Sequence, residues 1–208
     1  MLYIMTMYPE FFKRVDESPD DLFYKEPRFV THIDAGAQRS ARELYDELLP
    51  DGGNVLDLMS SYVSHLSDKF SVTGLGLNEA ELSANPVLDE YLTYDLNLQA
   101  ELPFDSEQFD GAVCSVSVQY MTRPDDTFRE VARILKPDAP FIVTFSDRMF
   151  PTKAVLAWRA SDDAAHLRIV KKYFEVPGFG KPQMRAFTPE EGDPLYAVWA
   201  TKVEIAKH

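Results

Sequence analysis

Short apolar runs alternate with stretches of helical periodicity over residues 54–145, and this alternation constrains the fold more than any other feature of the sequence. Strands are predicted at residues 54–58, which has a buried-strand pattern, at 72–77, 109–116 and 141–145, and near residues 90–94. Two further strands are predicted at 183–187 and 195–201. Such a chain packs helices on both faces of a mostly parallel sheet. We therefore predict an α/β fold, a three-layer sandwich whose mostly parallel seven-stranded sheet ends in a C-terminal antiparallel hairpin.

The predicted helices lie before and between these strands. Apolar residues recur at helical spacing over residues 37–49, and the turn-forming residues 50–53 end that helix. Further helices are predicted from the end of the first strand through Lys69, at 78–84, at 127–135 and within 155–174. Because no linker or repeat interrupts the pattern, we predict one domain over residues 1–208. In it, residues 1–50 form an N-terminal cap segment and helix, and residues 51–208 form the α/β core.

Composition excludes several classes of protein. The chain has 208 residues and a formal charge of −13, which argues against broad binding to nucleic-acid backbones. Its single cysteine, Cys114, cannot form an internal disulfide, and no apolar run approaches the ~18 residues that a membrane helix needs. Residues 1–5 have no basic lead of the kind that begins a signal peptide. We expect a cytoplasmic protein with no nucleic-acid and no membrane partner.

The predicted topology also places a binding site. In open α/β sheets, ligands bind beyond the carboxyl ends of the strands, where the strand order reverses. This rule nominates residues 57–61, 77–78 and 117–120, which follow the first, second and fourth strands.

Motifs for other α/β chemistry are absent from the sequence. Gly74-Leu75-Gly76 does not continue as a dinucleotide-binding fingerprint, because Glu79 stands where the third glycine is needed. No nucleophile elbow and no phosphate-binding P-loop occurs. His65, within the predicted first crossover helix, has no second ligand at metal spacing, so no metal site is expected.

Five fragments in a preserved order resemble one family. They are Val55-Leu56-Asp57-Leu58, Val72 to Asn78, Asp95-Leu96 followed by Leu102-Pro103-Phe104, Phe109-Asp110, and Arg129 to Pro137. Together they are similar to the class I S-adenosylmethionine-dependent methyltransferases, in particular the small type 11 group, over residues 52 to 146. The resemblance implies a Rossmann-like methyltransferase fold with S-adenosyl-L-methionine as cofactor.

The chain departs from that family at two positions that bear on the cofactor. The family has a glycine-rich loop after its first strand, whereas this chain has Met59-Ser60-Ser61-Tyr62 there. Glycine allows a backbone to approach a ligand closely, so the bulky Met59 and Tyr62 must point away or close the pocket. The family also ends its second strand with an acidic residue that binds the ribose, and Asn78 stands there instead.

The resemblance nonetheless implies a set of cofactor-binding residues. Asp57 would orient the cofactor's amino group, Asn78 would bind the ribose, and Asp95 and Leu96 would contact the adenine. Each polar residue also has a structural interpretation: Asp57 as an acceptor for loop N–H groups, Asn78 as a helix N-cap and Asp95 as a solvated carboxylate. The predicted cofactor-binding residues are Asp57, Met59, Ser60, Ser61, Asn78, Asp95, Leu96 and Ser117.

No strong catalytic constellation is visible, and methyl transfer needs none, because the cofactor supplies the reactivity. Tyr120 and His32 are the candidates for a base, with a local turn as the alternative for the segment around His32. The sequence thus predicts methyl transfer to a small-molecule or other non-nucleic-acid acceptor. The alternative is a methyltransferase-like binding or regulatory protein that has lost turnover, because the glycines and the ribose carboxylate are missing.

Overall fold

A computed structural model describes residues 9–99 and 101–204 of the chain, so the prediction for residues 1–5 lies outside the described part. Its centre is a seven-stranded sheet with the order β3-β2-β1-β4-β5-β7-β6. The strands are β1 (Asn54–Ser60), β2 (Ser71–Gly76), β3 (Glu90–Thr93), β4 (Gly111–Ser115), β5 (Pro140–Phe145), β6 (Gln183–Phe187) and β7 (Leu195–Thr201). All seven predicted strands are present.

The strand directions agree with the predicted topology. Strands β1 to β5 pair in parallel, and β7 pairs antiparallel with both β5 and β6. In the register of the sheet, Asp57 of β1 lies beside Gly74 of β2 on one side and Val113 of β4 on the other. The carboxyl ends of β1, β2 and β4 therefore meet at one edge, where the strand order reverses.

Helices cover both faces of the sheet, which makes the three layers that the sequence predicts. The helices are α1 (Asp20–Phe23), α2 (Ala35–Leu48), α3 (Glu79–Ser83), α4 (Pro124–Ile134), α5 (Leu156–Arg159) and α6 (Asp163–Tyr173), with 3-10 turns at Pro9–Phe12 and Val118–Tyr120. Leu44 and Tyr45 of α2 pack against Val55 on one face. Phe128 of α4 and Tyr173 of α6 belong to the core on the other face. No helix in the described ranges is long and apolar enough to cross a membrane.

The predicted helix between the first two strands is wrong: β1 continues to Ser60, and residues 61–70 are irregular. Four consecutive residues of this segment, 64–67, are buried, a pattern that one face of a surface helix cannot produce. The hydroxyls of Ser64 and Ser67 donate to the carboxylates of Asp57 and Asp46. These side-chain bonds attach the segment to β1 and α2 over a run in which four consecutive residues are buried. His65 consequently lies in a buried loop rather than in a crossover helix.

Candidate active site

A cavity of about 270 Å³ lies at the sheet edge formed by the carboxyl ends of β1, β2 and β4. This volume is close to the lower end of the range of ligand pockets, roughly 300–1,000 Å³. The structure brings all ten sequence-predicted residues to its wall: His32, Asp57, Met59, Ser60, Ser61, Asn78, Asp95, Leu96, Ser117 and Tyr120. The strand-end rule selected seven of these residues, the family resemblance added Asp95 and Leu96, and His32 was a candidate base. All ten share one cavity, and their contacts with a cofactor stay predictions.

Met59 makes the turn for which the related family uses glycine. The pairing of β1 with β2 skips a residue between Leu58 and Ser60, and Met59 has a φ of 57°. This left-handed conformation costs a residue with a Cβ roughly 1–2 kcal/mol. The loop thus keeps a sharp bend at the cavity without a glycine. Tyr62 turns to Phe29, with ring centroids 5.1 Å apart, and is not among the residues that line the cavity.

The end of β2 has no side chain because the bend in β1 leaves no room for one. A Cβ at Gly76 would lie 2.1 Å from the carbonyl oxygen of Ser60. The strand ends at Gly76, one residue earlier than predicted, so Asn78 lies beyond the strand end as the N-cap of α3. The position that an acidic residue would occupy at the strand end is therefore filled by glycine.

The side chain of Asn78 is engaged in local structure. Its Oδ1 accepts from the backbone N–H of Glu81 at 3.1 Å, which caps α3. Its Nδ2 donates to the carbonyl oxygens of Tyr24 at 2.8 Å and Lys25 at 3.2 Å. These contacts match the interpretation of Asn78 as a helix N-cap. Ribose binding by Asn78 stays a prediction, and it would have to use the remaining lone pair of Oδ1, because both protons of Nδ2 are already donated.

Asp57 lies at the base of the cavity and holds the loop that follows β1. It is only 2% exposed, and its Oδ2 accepts from the hydroxyls of Ser60, at 2.6 Å, and Ser64. Burial raises the pKa of Asp57 to about 6, against the opposing effect of the two serine hydrogen bonds. Asn85 extends the network by donating to Ser64 Oγ at 3.0 Å and to the carbonyl oxygen of Ser61 at 2.8 Å. The side-chain hydroxyls, rather than loop N–H groups, thus satisfy this carboxyl.

Asp95 organises the loop after β3. Its Oδ1 accepts from the backbone N–H groups of Asn97 at 2.8 Å and Leu98 at 3.3 Å. Burial raises the pKa of Asp95, and the nearby Asp20 adds to the effect. The adjacent Leu96 is buried at the cavity wall, where it offers an apolar surface.

The residues after β4 are also held tightly. Ser117 Oγ donates to the carbonyl oxygen of Ser115 at 2.9 Å. Between them, Val116 has a φ of 51°, which is a strained conformation for a β-branched residue. Such strain is found preferentially at functional sites, where surrounding contacts enforce it. His32, Met59 and Val116 all line the cavity with positive φ.

The two candidate bases differ in their surroundings. The hydroxyl of Tyr120 accepts from the backbone N–H of Phe150 at 2.8 Å, and burial raises the pKa of Tyr120 away from neutrality. Desolvation of the imidazole at the cavity wall, together with the positive charge of Arg28, lowers the pKa of His32. The imidazole is therefore mostly neutral at pH 7. A neutral imidazole can accept a proton, whereas a tyrosine with a raised pKa cannot do so at neutral pH. The surroundings therefore favour His32 over Tyr120 as a base.

The cavity has a second wall that the sequence does not reveal. It borders on His65 of the loop after β1 and on Glu81 of α3. The wall itself comes from the segment before α2 and from the loop after β5, and it includes Tyr24, Arg28, Arg148 and Phe150. These residues follow no strand-end rule, because tertiary packing brings their segments to the sheet edge. Helical spacing could have marked Glu81 as lying near Asn78, but the sequence carries no comparable signal for Arg28.

Buried charges attach the N-terminal segment to the core. Lys153 is 0% exposed, and its Nζ lies 3.1 Å from Asp20, which is also bound by Arg14 at 2.6 Å. Burial acts to raise the pKa of Asp20, but hydrogen bonds from Arg14 and Asn97 lower it overall. Asn97 in turn donates to the carbonyl oxygen of Tyr120. This network fixes the segment before α2 against two loops that line the cavity.

The sheet order, the antiparallel β7 and the cavity at the strand ends define a Rossmann-like fold of the methyltransferase type. Residues 53–143 match the profile of the family described as a methyltransferase domain, Methyltransf_11. This match covers 91 of the 208 residues, from the turn before β1 into β5, and over that part the chain is similar to a methyltransferase domain.

A curated relative is the biotin biosynthesis bifunctional protein BioHC of Teredinibacter turnerae, which is 28% identical over 149 residues. The match covers 67% of this chain and 24% of that protein. The chain thus spans about a quarter of the length of the curated relative that it matches.

Two solved structures illustrate the shared fold. An S-adenosylmethionine-dependent methyltransferase from Thermotoga maritima, described as a possible histamine N-methyltransferase, has a TM-score of 0.59 at 18% identity, covering 80% of this chain and 89% of its own. Phosphoethanolamine N-methyltransferase 2 of Haemonchus contortus has a TM-score of 0.58 at 14% identity, covering 80% and 52%. At these identities the likeness shows the fold alone.

The residues at the sheet edge fit an S-adenosylmethionine molecule chemically. The cavity wall offers serine hydroxyls at residues 60, 61 and 117, a carboxylate at Asp95 and an apolar surface at Leu96. Arg28, on the second wall, has a guanidinium nitrogen without a hydrogen-bond partner among the described residues. An amino acid, a ribose and an adenine ring need such a combination of donors, acceptors and apolar surface.

Proposed function

We propose that this chain transfers a methyl group from S-adenosylmethionine to a small-molecule acceptor bound in the same cavity. The observation that carries the proposal is the arrangement of all ten predicted residues around one cavity at the carboxyl ends of β1, β2 and β4. The bend at Met59, which replaces the glycine-rich turn, keeps that cavity open. The similarity of residues 53–143 to a methyltransferase domain supports this proposal.

The cofactor, when bound, supplies the electrophilic methyl group, and this chain's residues supply orientation and exclusion of water. Asp57 acts by fixing the loop through Ser60 and Ser64, so that the backbone after β1 keeps its bend. Asp95 and Leu96 are proposed to contact the adenine, and Ser61 and Ser117 to offer hydroxyls to the rest of the cofactor. Holding the reactants in line lowers the activation free energy of such a reaction by up to about 7–11 kcal/mol.

A small acceptor suits the enclosure of the cavity. We propose that the segment before α2 caps the α/β core within a single domain, as its contacts with Asn78 and its residues on the cavity wall suggest. The formal charge of −13 disfavours a nucleic-acid acceptor. The two structural neighbours described above carry the names of small-molecule N-methyltransferases, which agrees with this substrate class. His32 is the proposed base where the acceptor must lose a proton.

The second candidate function is binding without turnover, and the glycine at the end of β2 favours it. Without a side chain at Gly76, the ribose lacks the acidic partner used by the family, and a charged acceptor forms hydrogen bonds about twice as strong as a neutral one. This protein would bind the cofactor and sense it rather than use it. Tyr62 argues against closure of the site, because its ring packs on Phe29.

Calorimetric titration with S-adenosylhomocysteine tests the cofactor site. We expect one molecule to bind the wild-type chain and the Ser61→Phe variant to bind at least about 10-fold more weakly, because the new ring fills the cavity. Ser83→Phe, at an exposed position on α3, is the matched control and should bind as the wild type does. No heat at millimolar ligand, or equal binding by Ser61→Phe, would overturn the proposal.

A transfer assay separates the two candidate functions. Cell extract is divided into small molecules, nucleic acids and proteins, and each fraction is incubated with the chain and methyl-labelled S-adenosylmethionine. The proposed enzyme transfers label to the small-molecule fraction only. Binding of S-adenosylhomocysteine without label in any fraction would identify the non-catalytic alternative instead.

A further inference from the structure

Arg28 occupies a defined place on the second wall of the cavity. Its guanidinium carbon lies 4.5 Å from the ring centroid of Phe23, 5.5 Å from that of Tyr24 and 5.4 Å from that of Phe150. Aromatic faces attract a cation at these distances. Three rings from two segments therefore hold the charge of Arg28 in position before any ligand arrives.

The hydrogen bonds of Arg28 leave part of its guanidinium unused. Nη2 donates to the carbonyl oxygen of Phe23 at 2.8 Å, and the backbone N–H of Arg28 donates to Glu81 Oε1 at 2.7 Å. Nη1 is shielded from solvent and has no hydrogen-bond partner among the described residues. A buried donor left without an acceptor is costly, and the cost is greater for a charged group.

The charge of Arg28 is also unpaired within the described part of the chain, where no carboxylate oxygen lies within 4.0 Å of its guanidinium. Arg148 lines the same cavity but is bound at 2.8 Å by Asp193. Two carboxylates lie near Arg28 at this wall: Asp20 is bound by Arg14 and Lys153, and Glu81 Oε1 accepts from the backbone N–H of Arg28 rather than from its guanidinium. Of the two arginines on the cavity wall, Arg28 is thus the one that keeps its charge available for a ligand.

We propose that Arg28 is the anion-binding group of this cavity and that its Nη1 donates to a carboxylate or another anionic oxygen of the bound ligand. Arginine suits this role because its guanidinium is always charged and keeps a fixed planar geometry. The rings around it remove the entropic cost of ordering a long side chain.

Two ligands could bring this anion to Arg28. One is the carboxylate of the cofactor's methionine part, and the other is an anionic group on the methyl acceptor. The choice between these sources rests on the proposed methyl transfer, whereas the anion site itself does not. The Arg28→Met variant removes the charge and keeps an apolar chain among the rings, and Arg28→Lys keeps the charge without the planar fork. Arg129→Met, at an exposed position on α4, changes the net charge equally and is the control.

Three calorimetric titrations distinguish the sources. The first uses S-adenosylhomocysteine, which carries a carboxylate. The second uses 5′-methylthioadenosine, a nucleoside thioether without that carboxylate. The third uses inorganic phosphate on protein saturated with S-adenosylhomocysteine. We expect Arg28→Met to weaken one anionic probe by about 10- to 100-fold and to leave methylthioadenosine unchanged within about 2-fold. Arg28→Lys should recover part of the loss, and Arg129→Met should match the wild type.

A loss confined to S-adenosylhomocysteine assigns the cofactor carboxylate, and a loss confined to phosphate assigns the acceptor. Wild-type affinity of Arg28→Met and Arg28→Lys for both anionic probes would overturn the proposal. So would an equal loss of methylthioadenosine binding, because that result shows general damage to the cavity. If the wild type binds no S-adenosylhomocysteine, the proposed function fails, and phosphate binding to the ligand-free variants alone decides the role of Arg28.

Discussion

The carbonyl oxygen of Ser60 lies 2.1 Å from the position that a Cβ atom at Gly76 would occupy. The bulge at Met59 brings the end of β1 this close to the end of β2. The two departures from the related family therefore have one structural cause. The turn after β1 contains Met59 instead of a glycine, and its bulge leaves room only for a glycine, Gly76, at the end of β2. A bulge that re-aims a strand next to an active site is a recurring device in sheets.

Gly76→Ala should be destabilising, because the new methyl group can be placed only by moving the backbone of β1. We expect a loss of about 2–3 kcal/mol in the free energy of unfolding, measured with urea, and weaker binding of S-adenosylhomocysteine. Gly180→Ala is the control, since its Cβ would meet a side-chain atom of Val203 at 3.2 Å. A Gly76→Ala protein as stable as Gly180→Ala would contradict the close approach.

Met59 should reverse the usual stability order of alanine and glycine. Met59→Ala and Met59→Gly both lose the packing of the methionine side chain, but only glycine accepts a φ of 57° without a Cβ penalty. Glycine also gives the unfolded chain more conformational entropy, which offsets part of this advantage. We therefore expect Met59→Gly to be more stable than Met59→Ala by about 1 kcal/mol. Urea unfolding of the two variants measures the difference. A more stable alanine variant would show that the left-handed turn is not strained.

Asp57 should make the protein less stable as pH rises through the mildly acidic range. The carboxyl has a pKa of 3.8 when unfolded and about 6 when folded, so the folded protein binds more protons between these values. Stability falls with pH wherever the folded state holds the extra proton. The wild type should therefore lose stability relative to Asp57→Asn from about pH 4 to about pH 6, by on the order of 3 kcal/mol. If the unfolding free energies of the wild type and of Asp57→Asn changed in parallel between pH 4 and pH 6, the raised pKa of Asp57 would be refuted.

His65 should act in the opposite direction over nearly the same range. Burial, with the charges of His32 and Arg42, lowers its pKa from 6.5 to about 4, so the unfolded chain binds more protons between these values. The wild type should gain stability relative to His65→Asn from about pH 4 to about pH 6.5, again by on the order of 3 kcal/mol. The double variant, compared with the wild type, should show nearly no net slope. A clear slope in this comparison would show that the pKa shifts of Asp57 and His65 do not offset each other.

Asn78→Asp separates capping from ribose binding. Aspartate caps helices as well as asparagine does, but it cannot donate to the carbonyl oxygens of Tyr24 and Lys25. We expect a loss of about 1–3 kcal/mol in unfolding free energy and no gain in affinity for S-adenosylhomocysteine. Tighter binding would instead show that residue 78 contacts the ribose, since a carboxylate accepts more strongly than an amide.

The strands were predictable because their signal is local. The central strands β1, β4 and β5 are short apolar runs, and burial on both faces of a parallel sheet needs nothing else from the sequence. The edge strands β3 and β6 are largely exposed, and their positions between turn residues indicated them. The segment 61–70 misled because its length suits a crossover helix, while its buried serines bond to Asp57 and Asp46 from irregular backbone. Only the tertiary structure contains those partners.

The candidate site was predictable on one side only. Strand ends are set by topology, so the residues after β1, β2 and β4 could be chosen without coordinates. Arg28 and Phe150 could not, because their place on the wall depends on how distant segments pack. The left-handed turn at Met59 could not be predicted either, because methionine has no preference for that backbone conformation.

A crystal structure of the chain grown with S-adenosylhomocysteine decides whether the cavity at the strand ends is the cofactor site. We expect ligand density at the carboxyl ends of β1 and β4, bordered by residues 59–61 and Leu96, with Met59 still in its left-handed conformation. Density elsewhere on the molecule, or a Met59 side chain that fills the cavity at saturating ligand, would contradict this expectation.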